Sequence, residues 1–221
     1  MFKPHAIIAE YLAELLAAGG FVLGQVQVMP GPVLRHVDDT GVLEIATRPE
    51  DAREIAKYDG EGNYRPLKTA PNLRRGWELR LESLDDLRRA LDFFYPAALG
   101  TWFAFRRNEL VPIHLRETLG RQTGRYRVTN LVTDEQAGEA IRNRCNSRTG
   151  CLRRQLWRIS PEIQSPFTED PSEIKFDGSL PILCVEACNL LVADIRPIAK
   201  QNVQNPSRRA DGGSLEREGV S

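Results

Sequence analysis

No run of apolar residues in this chain approaches the length of a bilayer span. The most apolar N-terminal stretch, MFKPHAIIAEYLAELLAAGG, is interrupted by Glu10 and Glu14, so it reads as an amphipathic helix and not as the apolar centre of an export signal. Net charge is lacking too. The 30 Lys and Arg residues balance 30 Asp and Glu, which removes any general attraction to nucleic acid. Histidine is scarce, with three in the whole chain, and cysteine is limited to four. With neither an export signal nor a span, the expected compartment is the cytoplasm and no membrane association is expected. In that compartment paired cysteines more often bind metal or do redox chemistry than form structural disulfides.

What is present is an ordinary globular composition, with 41% hydrophobic and 27% charged residues. At 221 residues there is room for one large domain or two modest ones. Pro4 suits a first helical turn, and Ile7, Ile8, Leu12, Leu15 and Leu16 form one apolar stripe that stops at Gly19-Gly20. Strands are predicted over 21–28, 33–37, 42–46 and 77–81, with a short helix from about residue 51 to 58. Residues 59–75 read as a loop. Ser83 caps a helix that buries Leu84, Leu87, Leu91 and Phe94, and residues 101–105 and 109–113 are expected to pair as a hairpin. Residues 1–113 therefore predict a small α+β domain.

A second domain is predicted over 114–200. Thr133 and Gln136 have the spacing of a capping box, opening a helix whose far end delivers Cys145. Leu152, Leu156 and Ile159 predict a short helix, residues 161–180 a loop rich in proline and acids, and residues 186–195 a helix carrying Cys188. Residues 201–221 have little to bury and predict a disordered tail.

The four cysteines fall into two pairs, Cys145/Cys151 and Cys184/Cys188, spaced C-x5-C and C-x3-C with thirty-two residues between them. Thiolates are soft ligands for iron–sulphur clusters and zinc, and four of them match what a [4Fe–4S] or [2Fe–2S] cluster requires. On a helix Cys184 and Cys188 would share a face, and Gly150 allows the Asn146–Gly150 turn to wrap a bulky group. Zinc is the alternative, although C-x5-C is wider than usual for so small an ion. Disulfides or free thiols are the remaining readings.

The spacing resembles the cluster motif of sirohaem-dependent sulphite and nitrite reductases, in which the position matching Cys188 also bridges to the sirohaem iron. Over most of the chain, YRPLKTAPNLRRGW from Tyr64 to Trp77, the 116–127 segment and PILCVEACNLL are similar to the accessory domains of a chelatase-associated family. That family places a stabilising domain before a 4Fe-4S-binding domain, some members fusing both behind CbiX-type sirohydrochlorin chelatase domains. The resemblance implies an α+β fold of two small domains, a [4Fe–4S] cluster on Cys145, Cys151, Cys184 and Cys188, and an accessory role beside a CbiX-type chelatase in cobalamin or sirohaem synthesis. With three histidines in all, no histidine-rich metal-insertion face is expected, and the chain is not expected to be catalytic alone.

Charge is distributed unevenly. Between Arg116 and Arg158 there are ten arginines, no lysine and four acids, a local excess of six positive charges. Arginine in place of lysine favours bidentate binding of carboxylate or phosphate. Arg144, Arg148 and Arg153 stand close in sequence to cysteines, and Lys68, Arg74 and Arg75 form a second basic loop. These six are the candidates to receive an anionic tetrapyrrole, the ligand the resemblance implies. Tyr126 and Trp157 are the only stacking candidates in the arginine-rich segment, which disfavours nucleic acid.

Overall fold

The computed structural model describes residues 4–110, 114–115, 131–145, 150–156 and 177–204. Helix α1 (Pro4–Ala17) leads through Gly19 and Gly20 into β1 (Phe21–Leu23), β2 (Val26–Met29) and β3 (Val33–His36). These three strands form an antiparallel meander, with Phe21 opposite Val28 and Val28 opposite Leu34. Residues 21–28 are thus a hairpin, because Gly24 at φ +60° turns the chain where a single strand is predicted. Its hydrogen replaces a Cβ that would lie 2.6 Å from the Tyr95 ring and 2.9 Å from Ile182, so only glycine fits.

After β4 (Glu44–Ala46) and α2 (Asp51–Ile55) comes β5 (Trp77–Arg80), which pairs antiparallel with β3 and parallel with β4. Helix α3 (Leu84–Phe94) starts as expected, with the Asp86 N–H donating to the Ser83 side chain. Its apolar face meets the sheet where Trp77 stacks on Phe94 at 4.9 Å. The expected hairpin at 101–113 is instead helix α4 (Ala98–Arg106) at its first arm, and residues 111–113 lie outside the described residues. Ala98, Leu99, Trp102 and Phe105 all turn into the core, so helical spacing decides the buried face where a hairpin arm was expected.

In the second half, helix α5 (Asp134–Arg144) opens on the predicted capping box, with Thr133 and Gln136 bonded reciprocally. The segment after Cys151 is extended as β6 (Arg154–Gln155) and pairs in parallel with β8 (Leu183–Cys184), in place of the expected short helix. Strand β7 (Ser179–Leu180) crosses to the first half and adds in parallel to β1. The main sheet therefore runs β4-β5-β3-β2-β1-β7. Helix α6 (Asn189–Gln204) starts after Cys188, later than predicted, and continues through Pro197 into the expected tail. Asn202 is buried there, donating to the Leu131 carbonyl at 2.6 Å. The rest of the tail lies outside the described residues.

Two buried cores result. The larger one fills the space between the sheet and α1, α3 and α4, and it takes Leu156, Leu180, Ile182 and Leu183 from the second half of the chain. The smaller one lies between α5 and α6, with Leu115, Val132 and Ala187 added. The fold is α+β, with mixed sheet and helices around the first core and a helical unit beside it. Among the described residues no helix is long and apolar enough to cross a membrane.

Candidate metal centre

Each cysteine is delivered by a different local device. Cys145 is the C-cap of α5, its N–H donating to the Ile141 carbonyl at 2.7 Å, with extended backbone that leaves the helix. It meets Cys151 through a parallel bridge between the two residues. Cys184 ends β8, and Cys188 stands just before α6, where its carbonyl accepts from Val192 N–H. The expectation that Cys184 and Cys188 share one helical face is corrected: the helix begins at Asn189, because Cys184 is held in a strand by β6.

Position in the fold re-sorts the pairs. Cys151 and Cys184 are buried, on the side where β6 and β8 meet the larger core. Cys145 and Cys188 are half-buried and pack against the smaller helical core. Thus each close pair in sequence contributes one thiol to either side of the seam between the two cores. All four are free of disulfides.

The thiols share one electrostatic environment. Burial, first, and then the charges of Cys184, Cys151 and Cys188 push the Cys145 thiol up to about 12, against a smaller pull from Arg144. Cys145 therefore keeps its proton until a metal displaces it. Cys184 accordingly donates its S–H to the Glu186 carbonyl at 3.1 Å, an arrangement that a thiolate, lacking the proton, would give up. Among the described residues, no three His, Cys, Asp or Glu side chains close around one ion-sized point. A cluster does not need that, because each of its irons takes its own thiolate. The donor set therefore fits an iron–sulphur cluster: four cysteines, none in a disulfide, with Cys151, Cys184 and Cys188 all near enough to act on Cys145.

Residues 14–106 match the family model of the DR2241 stabilising domain, and residues 107–197 match that of the 4Fe-4S iron–sulfur cluster binding domain. The two matches follow one another along the chain, each over somewhat less than half of it. DR2241 from Deinococcus radiodurans has been solved as a multi-domain protein with structural similarity to chelatases and two additional novel domains, and it superposes with a TM-score of 0.68 at 30% identity. The match covers 90% of this chain but 42% of DR2241, so the chain spans less than half the length of that relative. No curated protein sequence matches.

The first half of the chain reaches the cysteines directly. Its 65–72 loop is clamped by Arg65, 1% exposed, which donates to the carbonyls of Ala56, Lys68 and Ala70 and to the Asn72 side chain, all at 2.8–3.0 Å. The clamped loop places Thr69, also buried, with Oγ1 3.1 Å from Cys151 Sγ and its carbonyl 2.8 Å from Leu152 N. Neither Thr69 nor Arg65 was among the sequence candidates. A basic loop draws attention to its charges, and nothing in the spacing singles out a threonine that reaches across 82 residues.

The cationic candidates are placed as follows. Arg144 makes a bidentate pair with Asp194 on α6 at 2.6 and 2.8 Å, which ties the two helices beside Cys145 and Cys188. Lys68 donates to the Ala56 carbonyl at 2.9 Å, and burial lowers its pKa. Arg75 pairs with Asp38 at 2.8 Å. Arg74 lies 3.9 Å from Glu44, and its buried Nε has no hydrogen-bond partner among the described residues. Arg153, two residues beyond Cys151, likewise has a buried, unpartnered Nε. Arg148 lies outside the described residues.

Proposed function

We propose that Cys145, Cys151, Cys184 and Cys188 hold a [4Fe–4S] cluster in a redox or structural role. The observation that carries this is the convergence of four cysteines, none in a disulfide, with Cys145 bridged to Cys151 and within electrostatic reach of Cys184 and Cys188. The match to a 4Fe-4S binding domain over the same residues supports it. When bound, the cluster would supply one-electron chemistry or a covalent brace. The chain's own part is to present four thiols, shed their protons on loading, and keep two of the four away from water.

The second half of the proposal concerns the partner. Similarity to a structure that itself resembles chelatases supports an accessory role beside a sirohydrochlorin-type chelatase in cobalamin or sirohaem synthesis. An anionic tetrapyrrole would meet Arg153, whose Nε is unmatched within the described protein. Anaerobic purification followed by iron and sulphide assays tests the first half, with about four of each expected per chain. Absorption and EPR spectra before and after dithionite identify the cluster. A colourless protein that takes up stoichiometric zinc overturns it and leaves a zinc-stapled interaction module. For the second half, adding the loaded chain to a sirohydrochlorin chelatase is expected to change metal-insertion rate or complex size; no change in either overturns it.

A further inference from the structure

We infer that Thr69, in the stabilising domain, is a tuning residue of the cluster: its hydroxyl donates a hydrogen bond to the Cys151 thiolate and raises the reduction potential. This rests on the cluster reading above. The Thr69 Oγ1 to Cys151 Sγ distance is 3.1 Å, with both side chains buried. Between two protonated groups either atom can donate. Once Cys151 is a metal-bound thiolate it has no proton, so the hydroxyl must be the donor. A hydrogen bond to a ligand sulphur offsets negative charge, and the reduced cluster carries one more negative charge than the oxidised one. The bond therefore favours the reduced form.

The loop is built to hold that hydroxyl in place. The Arg65 guanidinium nitrogen Nη2 donates to the carbonyls of Lys68 and Ala70, the residues on either side of Thr69. The Thr69 carbonyl in turn accepts from Leu152 N–H, so the backbone of residue 69 is bonded to the residue that follows the ligand. The hydroxyl is fixed from both its own loop and the ligand's. Arg65 itself is a buried cation with no carboxylate among its hydrogen-bond partners, and it adds positive potential on the same side.

The test uses the full-length protein, loaded anaerobically and titrated electrochemically with EPR detection. Thr69→Val keeps the shape and removes the hydroxyl; it is expected to shift the reduction equilibrium roughly threefold to tenfold toward the oxidised form, the upper end being about 59 mV for one electron. Thr69→Ser keeps the hydroxyl and is expected to stay close to the unaltered protein. If Thr69→Val does not load, Thr69→Ala replaces it. Loading by the serine variant alone still shows that the hydroxyl is needed, whereas failure of serine, which keeps the hydroxyl, together with the others assigns Thr69 a packing role and overturns the inference. Loaded Thr69→Val with an unchanged potential also overturns it. An unaltered protein that carries no iron or sulphide overturns the cluster reading itself, which separates the two failures.

Discussion

The core beneath the six-stranded sheet is filled by Trp77, Phe94, Tyr95, Trp102 and Phe105 as well as by branched aliphatics. The core between α5 and α6 contains Ala137, Ala140, Ala187 and Ala199 with Ile141, Leu191, Val192 and Ile195, and no aromatic ring among the described residues. Alanines let two helices approach closely but remove little apolar area from water per residue, at about 25 cal/mol per Å². The first core is self-sufficient in bulk. The second depends more on specific ties: the Arg144–Asp194 pair, the Asn202 hydrogen bonds to Leu131 and Gln136, and the cysteine site. A cluster held by these cysteines, as proposed, would brace the second core whatever its redox role, because small cores commonly need a metal or another crosslink.

The sharpest way to break the contrast is to remove a ligand. Cys184→Ser is expected to lower bound iron and sulphide to background, a loss exceeding the roughly 10- to 100-fold that losing an outer partner costs in metal affinity. Hydrogen exchange should then show α5 and α6 opening while β2, β3 and β5 stay protected. Equal loss in both regions would mean that the two cores fold as one. Gly24→Ala attacks the other side, forcing a Cβ against Tyr95 and Ile182 at positive φ, and should cost about 2–4 kcal/mol. Chemical denaturation measures it, and the loss should be seen with and without cluster.

Asn202→Ala sharpens the comparison within the helical unit. It removes the donor to the Leu131 carbonyl at 2.6 Å and one of the two donors to the Gln136 side-chain oxygen, at 2.8 Å, and should cost about 1–3 kcal/mol. Because the apoprotein lacks the brace, its helical unit should respond more strongly than that of the loaded protein in exchange measurements. The smallest effect concerns pH. Burial, chiefly, holds His36 below its ordinary 6.5, with Asp38 and Asp39 pulling the other way. The unfolded chain therefore takes up this proton first as pH falls. The stabilisation is complete above 6.5 and is lost as pH drops through the lowered folded value. Denaturant midpoints compared at about pH 7.5 and about pH 5 should fall with acidity, and His36→Gln should flatten the slope.

Local chemistry was legible in the sequence where one residue decides the outcome. Ser83 and Thr133 announce helix starts because a side-chain oxygen satisfies an orphan N–H, and both do so. The four ligand candidates were picked out by their paired spacing. What the sequence misplaced are segments whose conformation depends on distant partners. Residues 154–155 and 183–184 are extended because they pair with each other, and residues 98–106 are helical because Leu99, Trp102 and Phe105 face a core assembled elsewhere. Thr69 was missed for the same reason: its role exists only once Cys151 is beside it. The basic loop was correctly located but read through its charges, and Lys68 and Arg75 turn out to be engaged within their own domain.

Strand β7 carries one more implication, for synthesis. Val22 is paired with Ser179 and Leu23 with Leu180, so the inner hydrogen-bonding edge of the first hairpin waits for a segment made some 150 residues later, a separation that slows strand pairing. While the ribosome works through the intervening stretch, β1 shows an uncovered edge open to wrong partners. The same late segment brings Cys184 only four residues after Leu180. Sealing the sheet and assembling the thiols are therefore one event in time, and a nascent chain that has not reached the last cysteines has not yet finished its first domain.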